Sequence, residues 1–184
     1  MDTIMSLWLP IVVATAGCFV ASSLIWMVLG YHKADWQKLP DEEAMLELVR
    51  KQQPKPGWYM FPYCLPEDFT DPAAKARYER GPWGTVAVAP GLPAMGRSLL
   101  IWFIHLLIVA TVVAYVAGKL RGPGTDFSGV AKVVAPMALL VFAGHELPGM
   151  AWKAQPGAIA LRNLIDAAIY AAIFAVSFGA LWPN

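Results

Sequence analysis

Residues 98–118, SLLIWFIHLLIVATVVAYVAG, form an unbroken apolar run in which His105 is the one basic or acidic side chain. At about 1.5 Å per residue, a helix of about 20 such residues matches the ~30 Å hydrocarbon core of a bilayer. Three further runs of similar character, at residues 7–29, 127–147 and 162–182, accompany it in a chain of 184 residues. A soluble domain of that size has no core large enough to bury four such predominantly apolar helices. The pattern therefore predicts an all-α membrane protein, with four transmembrane helices in a bundle and a small polar cap in the first loop.

Composition agrees: hydrophobic residues make up 58% of the chain and charged residues 15%, outside the usual range of soluble globular domains. The fourteen Lys and Arg are scattered and lie mostly outside the apolar runs. With no basic tract, the expected partner is the lipid bilayer and not nucleic acid. Cys18 falls inside an apolar run and Cys64 in a polar loop, so no disulfide is expected.

Residues 1–29 are assigned to the first span. The start carries Asp2 and no Lys or Arg, and the apolar run is longer than the core of a signal peptide. Ala16-Gly17-Cys18 has the small-small-Cys ending of a lipoprotein cleavage site, but Thr15 stands where a large aliphatic belongs. The segment is read as a retained helix, with Trp8 and Trp26 as interfacial anchors.

Residues 30–97 are polar and rich in Pro, and predict a cytoplasmic loop or cap with short helices and short strands. Pro40, Asp41, Glu42 and Glu43, followed by Arg50 and Lys51, give the charge order that suits a helix dipole, with Met45, Leu46, Leu48 and Val49 as its apolar face. Asp71-Pro72 reads as an N-cap and first helical residue, and Gly81 as the stop. Residues 58–61 and 85–89 have strand character. The aromatic residues of this loop, with Trp36 and Trp83, are expected to form a cap on the membrane surface.

Lys119 and Arg121 close the second span, and Pro136 is expected to kink the third. Lys33, Lys38, Arg80, Arg97, Lys153 and Arg162 flank one side of the four spans, against Lys119, Arg121 and Lys132 on the other. That bias places loop 30–97 in the cytoplasm and both termini in the periplasm. Small residues repeat at fourth-residue spacing in Ala167, Ala171, Ala175 and Gly179, in Ala14, Cys18 and Ser22, and in Ala110 and Ala114. Such rows let helices approach closely, and join either the four spans of one chain or a partner subunit or second copy.

This topology brings His105, His145, Glu146 and Asp166 to one side of the membrane, with His32 ending the first span there. Glu146 and Asp166 are expected to pair with His105, His145 or Arg162, because ionisable groups within spans face the interior and one another. The layer admits three readings: a hydrogen-bonded structural network, a metal or haem site on His105, His145, Glu146 and Asp166, or a proton or ion path through Asp166 and His105. No metal-ligand spacing such as His-Glu-x-x-His accompanies the ligand types. A haem held by His105 and His145 meets a depth difference of roughly 5 Å between them. No Gly-x-Ser-x-Gly, phosphate-binding glycine loop or Cys-x-x-Cys occurs, so catalysis has no motif behind it.

Two stretches, MVLGYH at residues 27–32 leading to LPDE at 39–42, and LIDAAIY at 164–170 leading to FGALWP at 178–183, resemble a group of small bacterial integral-membrane proteins. The resemblance implies the same four spans and long first loop in a bacterial inner membrane; it brings no activity, cofactor or substrate. On the residues alone, the expected role is a non-catalytic structural or accessory subunit of a membrane complex. A metal- or haem-binding redox component and a small ion or proton transporter are the alternatives.

Overall fold

The computed structural model describes the backbone from Asp2 to Asn184 and side chains from Ile4 onward, so Met1, which opens the segment assigned to the first span, lies outside the described residues. In chain order the elements are α1 (Asp2–Ser6), α2 (Trp8–Ser23), a π-helical turn (Leu24–Leu29), a 3₁₀ turn (Tyr31–Asp35), α3 (Glu42–Gln52), β1 (Gly57–Phe61), a second 3₁₀ turn (Pro66–Thr70), α4 (Pro72–Arg80), β2 (Gly84–Val88), α5 (Met95–Leu120), α6 (Phe127–Ala143), α7 (Glu146–Lys153) and α8 (Gly157–Ala180). Among the described residues, four helical segments are long and apolar enough to cross a membrane: Trp8–Leu29, Met95–Leu120, Phe127–Lys153 and Gly157–Ala180. The chain divides into two compact units, one of residues 1–36 with 95–184, the other Gln37–Ala94.

In the first unit, α2 packs against α5 and α8, and α6 packs against α8 and α5. The buried residues recur every third or fourth position: Leu106, Val109, Ala110, Val113, Ala114 and Ala117 on α5, and Val130, Val134, Ala138 and Phe142 on α6. That is the spacing of one helix face. Ala14, Cys18, Ser22, Ala110, Ala114, Ala167 and Ala171 are all buried within this unit, and Ala175 and Gly179 are half-buried. Apolar surface gains little by leaving lipid, so close van der Waals fit along such rows is what draws spanning helices together.

Proline sets two helix boundaries that apolarity alone does not show. The ring of Pro10 excludes a helical carbonyl four residues back, at Ser6, and α1 ends there before α2 begins at Trp8. Pro148 does the same to Gly144. The third span is therefore not the single helix expected over residues 127–147; α6 stops at Ala143 and α7 resumes at Glu146. Each proline then sits in the first turn of the next helix, where its missing N–H costs nothing. Pro136, by contrast, is accommodated within α6, which continues through it. The last helix begins at Gly157, five residues ahead of the expected Arg162, because the apolar residues 157–161 continue the helix back to Pro156.

The π-helical turn ends at Gly30, whose φ of +68° lies in the left-handed region. That conformation turns the chain out of the first span into the 3₁₀ turn that carries Tyr31, His32 and Asp35. At the other end of the unit, Trp182 Nε1 donates to Gly122 O at 3.0 Å and Gly124 N to Pro183 O at 2.8 Å, tying the C-terminal residues to the α5–α6 turn.

The second unit is an antiparallel β1–β2 pair, with Gly57 opposite Val88 and Phe61 opposite Gly84, accompanied by α3 and α4. Both helices start on side-chain caps: Asp41 accepts from Ala44 N at 3.1 Å, and Asp71 from Ala73 N at 3.0 Å. No residue of α3 or α4 is buried, so Leu46 and Leu48 are exposed and Met45 and Val49 only half-covered.

Gly30→Val is expected to lower stability by about 1–3 kcal/mol, the cost of holding a β-branched residue at positive φ. Thermal unfolding of the two proteins in the same detergent measures it, and an unchanged midpoint contradicts the assigned turn.

Candidate functional site

Five polar side chains form one continuous chain of hydrogen bonds between the turn after the first span and the beginning of α8. Arg162 Nε donates to Asp35 Oδ1 at 2.5 Å, and His32 Nδ1 meets Asp35 Oδ2 at 2.6 Å. His32 Nε2 meets Asp166 Oδ2 at 3.0 Å, and the Tyr31 hydroxyl donates to Asp166 Oδ1. Asp166 and His32 are buried, and the Asp35 carboxylate is only 6% exposed. Arg162 and Asp166 lie four residues apart on one face of α8, and His32 and Asp35 three apart on the 3₁₀ turn. Those two spacings let two short segments mesh with alternating sign.

Each ring nitrogen of His32 faces a carboxylate oxygen, and an imidazole donates from both nitrogens only as the imidazolium. His32 thus bridges the Asp35 and Asp166 carboxylates, and Arg162 pairs with Asp35 at the end of the chain. Trp26, borne on the π-helical turn, lies flat over His32 with ring centroids 3.9 Å apart and planes within 5°, the arrangement that attracts a cation to an aromatic face. Burial pushes the Asp35 carboxyl up, but the hydrogen bonds and charges of His32 and Arg162 outweigh it and hold the group below its ordinary 3.8. Burial, reinforced by the bond to Asp166 and the nearby carboxylate charges, holds the Tyr31 hydroxyl above its ordinary value, so it remains a donor.

A second polar cluster closes the corner between α7 and α8. Glu146 is 1% exposed; its carboxylate receives Gln155 Nε2 at 2.6 Å, Asn163 Nδ2 at 3.1 and 3.2 Å, and stands 2.8 Å from His145 Nε2. Gly149 makes room for this: a Cβ there would lie 2.2 Å from Gln155 Oε1. Every buried side-chain nitrogen and oxygen among the described residues has a hydrogen-bond partner. In a low-dielectric interior that condition decides whether buried charge is tolerable at all.

The four residues considered for a metal thus fall into separate places. Glu146 and His145 belong to the second cluster, and Asp166 to the first. His105 joins neither; it stacks on Trp102 at 5.4 Å and meets the edge of Phe142 at 6.3 Å. No group of three or more His, Cys, Asp or Glu among the described residues is placed to hold a metal ion. Asp166 pairs with His32 and Tyr31 and not with the His105, His145 or Arg162 expected from the sequence; Arg162 goes to Asp35 instead. Asp35 and Tyr31 escaped the sequence reading because they lie just past the apolar run, although the His32-x-x-Asp35 spacing was available as a signal.

Beside the first cluster lies a half-open cavity of about 840 Å³ bordered by the end of α2, the π-helical turn, α5, α6 and α8. Its walls include Trp26, Trp102, His105, Phe142, Asp166 and Tyr170. Compared with protein-family models, curated proteins and solved structures, the chain matches none.

Two outcomes follow from this geometry. A carboxylate whose folded pKa is depressed contributes stability above its unfolded pKa and loses it as pH falls through the folded one. The stability difference between the native chain and Asp35→Asn therefore shrinks as pH falls below about 4; a difference independent of pH across acid titration contradicts the pairing. For the second cluster, Asn163→Leu strips donors from a buried carboxylate and lowers stability by about 1.5–3 kcal/mol, read from unfolding in mixed micelles. No loss there removes Glu146 from the forces holding α7 to α8.

Proposed function

We propose that this chain is a non-catalytic structural or accessory protein of a bacterial inner membrane, its four spans forming a bundle. In this reading residues 37–94 face the cytoplasm and both termini the periplasm. The observation that carries it is the internal satisfaction of the buried charge: Arg162, Asp35, His32, Asp166 and Tyr31 use their strongest hydrogen-bonding groups on one another. A group whose bonds are already made is poorly placed to move protons or attack a substrate. The Lys and Arg distribution supports the orientation. The small-residue rows are taken up largely within the chain, so a partner would meet exposed outward positions such as Val12, Val20, Leu140 and Val176.

Crosslinking in the native membrane, followed by purification in mild detergent, tests the role. The expected result is a second polypeptide at fixed stoichiometry. Recovery of this chain only by itself, together with an ion flux in proteoliposomes that Asp166→Asn abolishes, replaces the accessory role with transport.

A further inference from the structure

Polar side chains inside a membrane span are expensive unless something hydrogen-bonds them. Asp166 and Glu146 find protein partners, but among the described residues His105 makes ring contacts only, with Trp102 and Phe142. It is an exposed side chain of α5, and the surface it occupies is the wall of the 840 Å³ cavity. That volume is within the ~300–1,000 Å³ of pockets that hold small organic molecules.

The walls narrow the chemistry of an occupant. Among the described residues no Lys or Arg lines the cavity, and of its two histidines His145 is already 2.8 Å from the Glu146 carboxylate, so an anionic head finds no fixed countercharge. The one carboxylate in its wall, Asp166, already accepts from Tyr31 and His32 on its two oxygens, which leaves no uncompensated charge for a cation. An uncharged head remains. Aromatic faces then favour a flat one: Phe142 meets Tyr170 edge-on at 5.3 Å, and Trp102 lies 6.1 Å from Tyr170 and 6.5 Å from Phe142. His105 offers a ring N–H to an acceptor oxygen on such a head. Met27, Met95, Leu99 and Val141 supply apolar wall for a hydrocarbon tail.

We infer that this cavity binds a lipid-soluble quinone or its quinol, with the ring lying against the mutually packed Trp102, Phe142 and Tyr170 and His105 donating a hydrogen bond to a ring oxygen. The inference concerns binding alone and involves no electron transfer. It requires the spans to lie in a bilayer but not the accessory role, so either can fail without the other.

Equilibrium binding of tritiated decylubiquinone to the full chain in phospholipid nanodiscs, with uptake by empty discs subtracted, tests it. Saturable binding is expected. His105→Leu should raise the Kd about tenfold, the worth of one hydrogen bond of ~1.4 kcal/mol. Ser98→Phe, which adds a ring to the cavity wall, should abolish saturable binding, and Val12→Phe, on an outward position of α2, should leave the Kd unchanged. Both cavity positions are exposed side chains, and a thermal melt confirms that each variant folds. Uptake no greater than that of empty discs, or saturable binding indifferent to both His105→Leu and Ser98→Phe, overturns the assignment. Displacement of the probe by dodecanol or phosphatidylglycerol as readily as by unlabelled decylubiquinone overturns the chemical class.

Discussion

The meeting of two buried carboxylates with one imidazole and one guanidinium is the interaction on which the arrangement of this chain depends. Desolvating a single charge costs several kcal/mol, and only close partners offset that cost. Here the partners come from opposite ends of the sequence: Asp35 and His32 from the turn after the first span, Asp166 and Arg162 from the first turns of α8. Because a carboxylate left alone in this setting is intolerable, the network fixes the rotation of α8 about its axis and its height against the first span. Small-residue packing below the network, with Cys18 Sγ 3.7 Å from Tyr170 O, then brings α2 and α8 close. Packing supplies proximity, and charge supplies register.

Backbone devices deliver the groups to that meeting point. The π-helical turn sets Trp26 over His32, and Gly30 at positive φ reverses the chain so that Tyr31 and His32 reach Asp166. Proline does comparable work in the third span. By ending α6 early, Pro148 starts a fresh helix at Glu146, where the carboxylate can accept from Asn163 and Gln155. Had the expected uninterrupted helix formed, the α7–α8 corner would have had a different geometry.

What the sequence made legible follows from the range of the forces involved. Four spans could be read because transfer of apolar residues depends on composition over about twenty positions. The cap at Asp71 and the two short strands could be read because their causes lie within a few residues, whereas Asp41 was read only for its charge and turns out to cap its helix. The breaks at Leu7 and Gly144 were missed because a hydropathy pattern does not register that a proline acts four residues upstream of itself. The sites were legible only in part. Of the residues gathered into one polar layer, His32 and Asp166 meet in one cluster and His145 and Glu146 in another, because partners are decided by rotation and depth, which no single-helix pattern contains. Asp35 and Arg162 lie 127 positions apart, and nothing local links them.

His32 and Asp166 act as a coupled pair joining the first span to α8. A double-mutant cycle of His32→Leu and Asp166→Leu, with unfolding free energies measured in one micelle composition, tests it most directly. Each single change strands a buried charge and should cost about 3–5 kcal/mol. The double variant removes both charges and should fall short of the summed losses by about 2 kcal/mol or more. Single losses below about 0.5 kcal/mol that simply add would contradict the account, since side chains without shared partners behave that way.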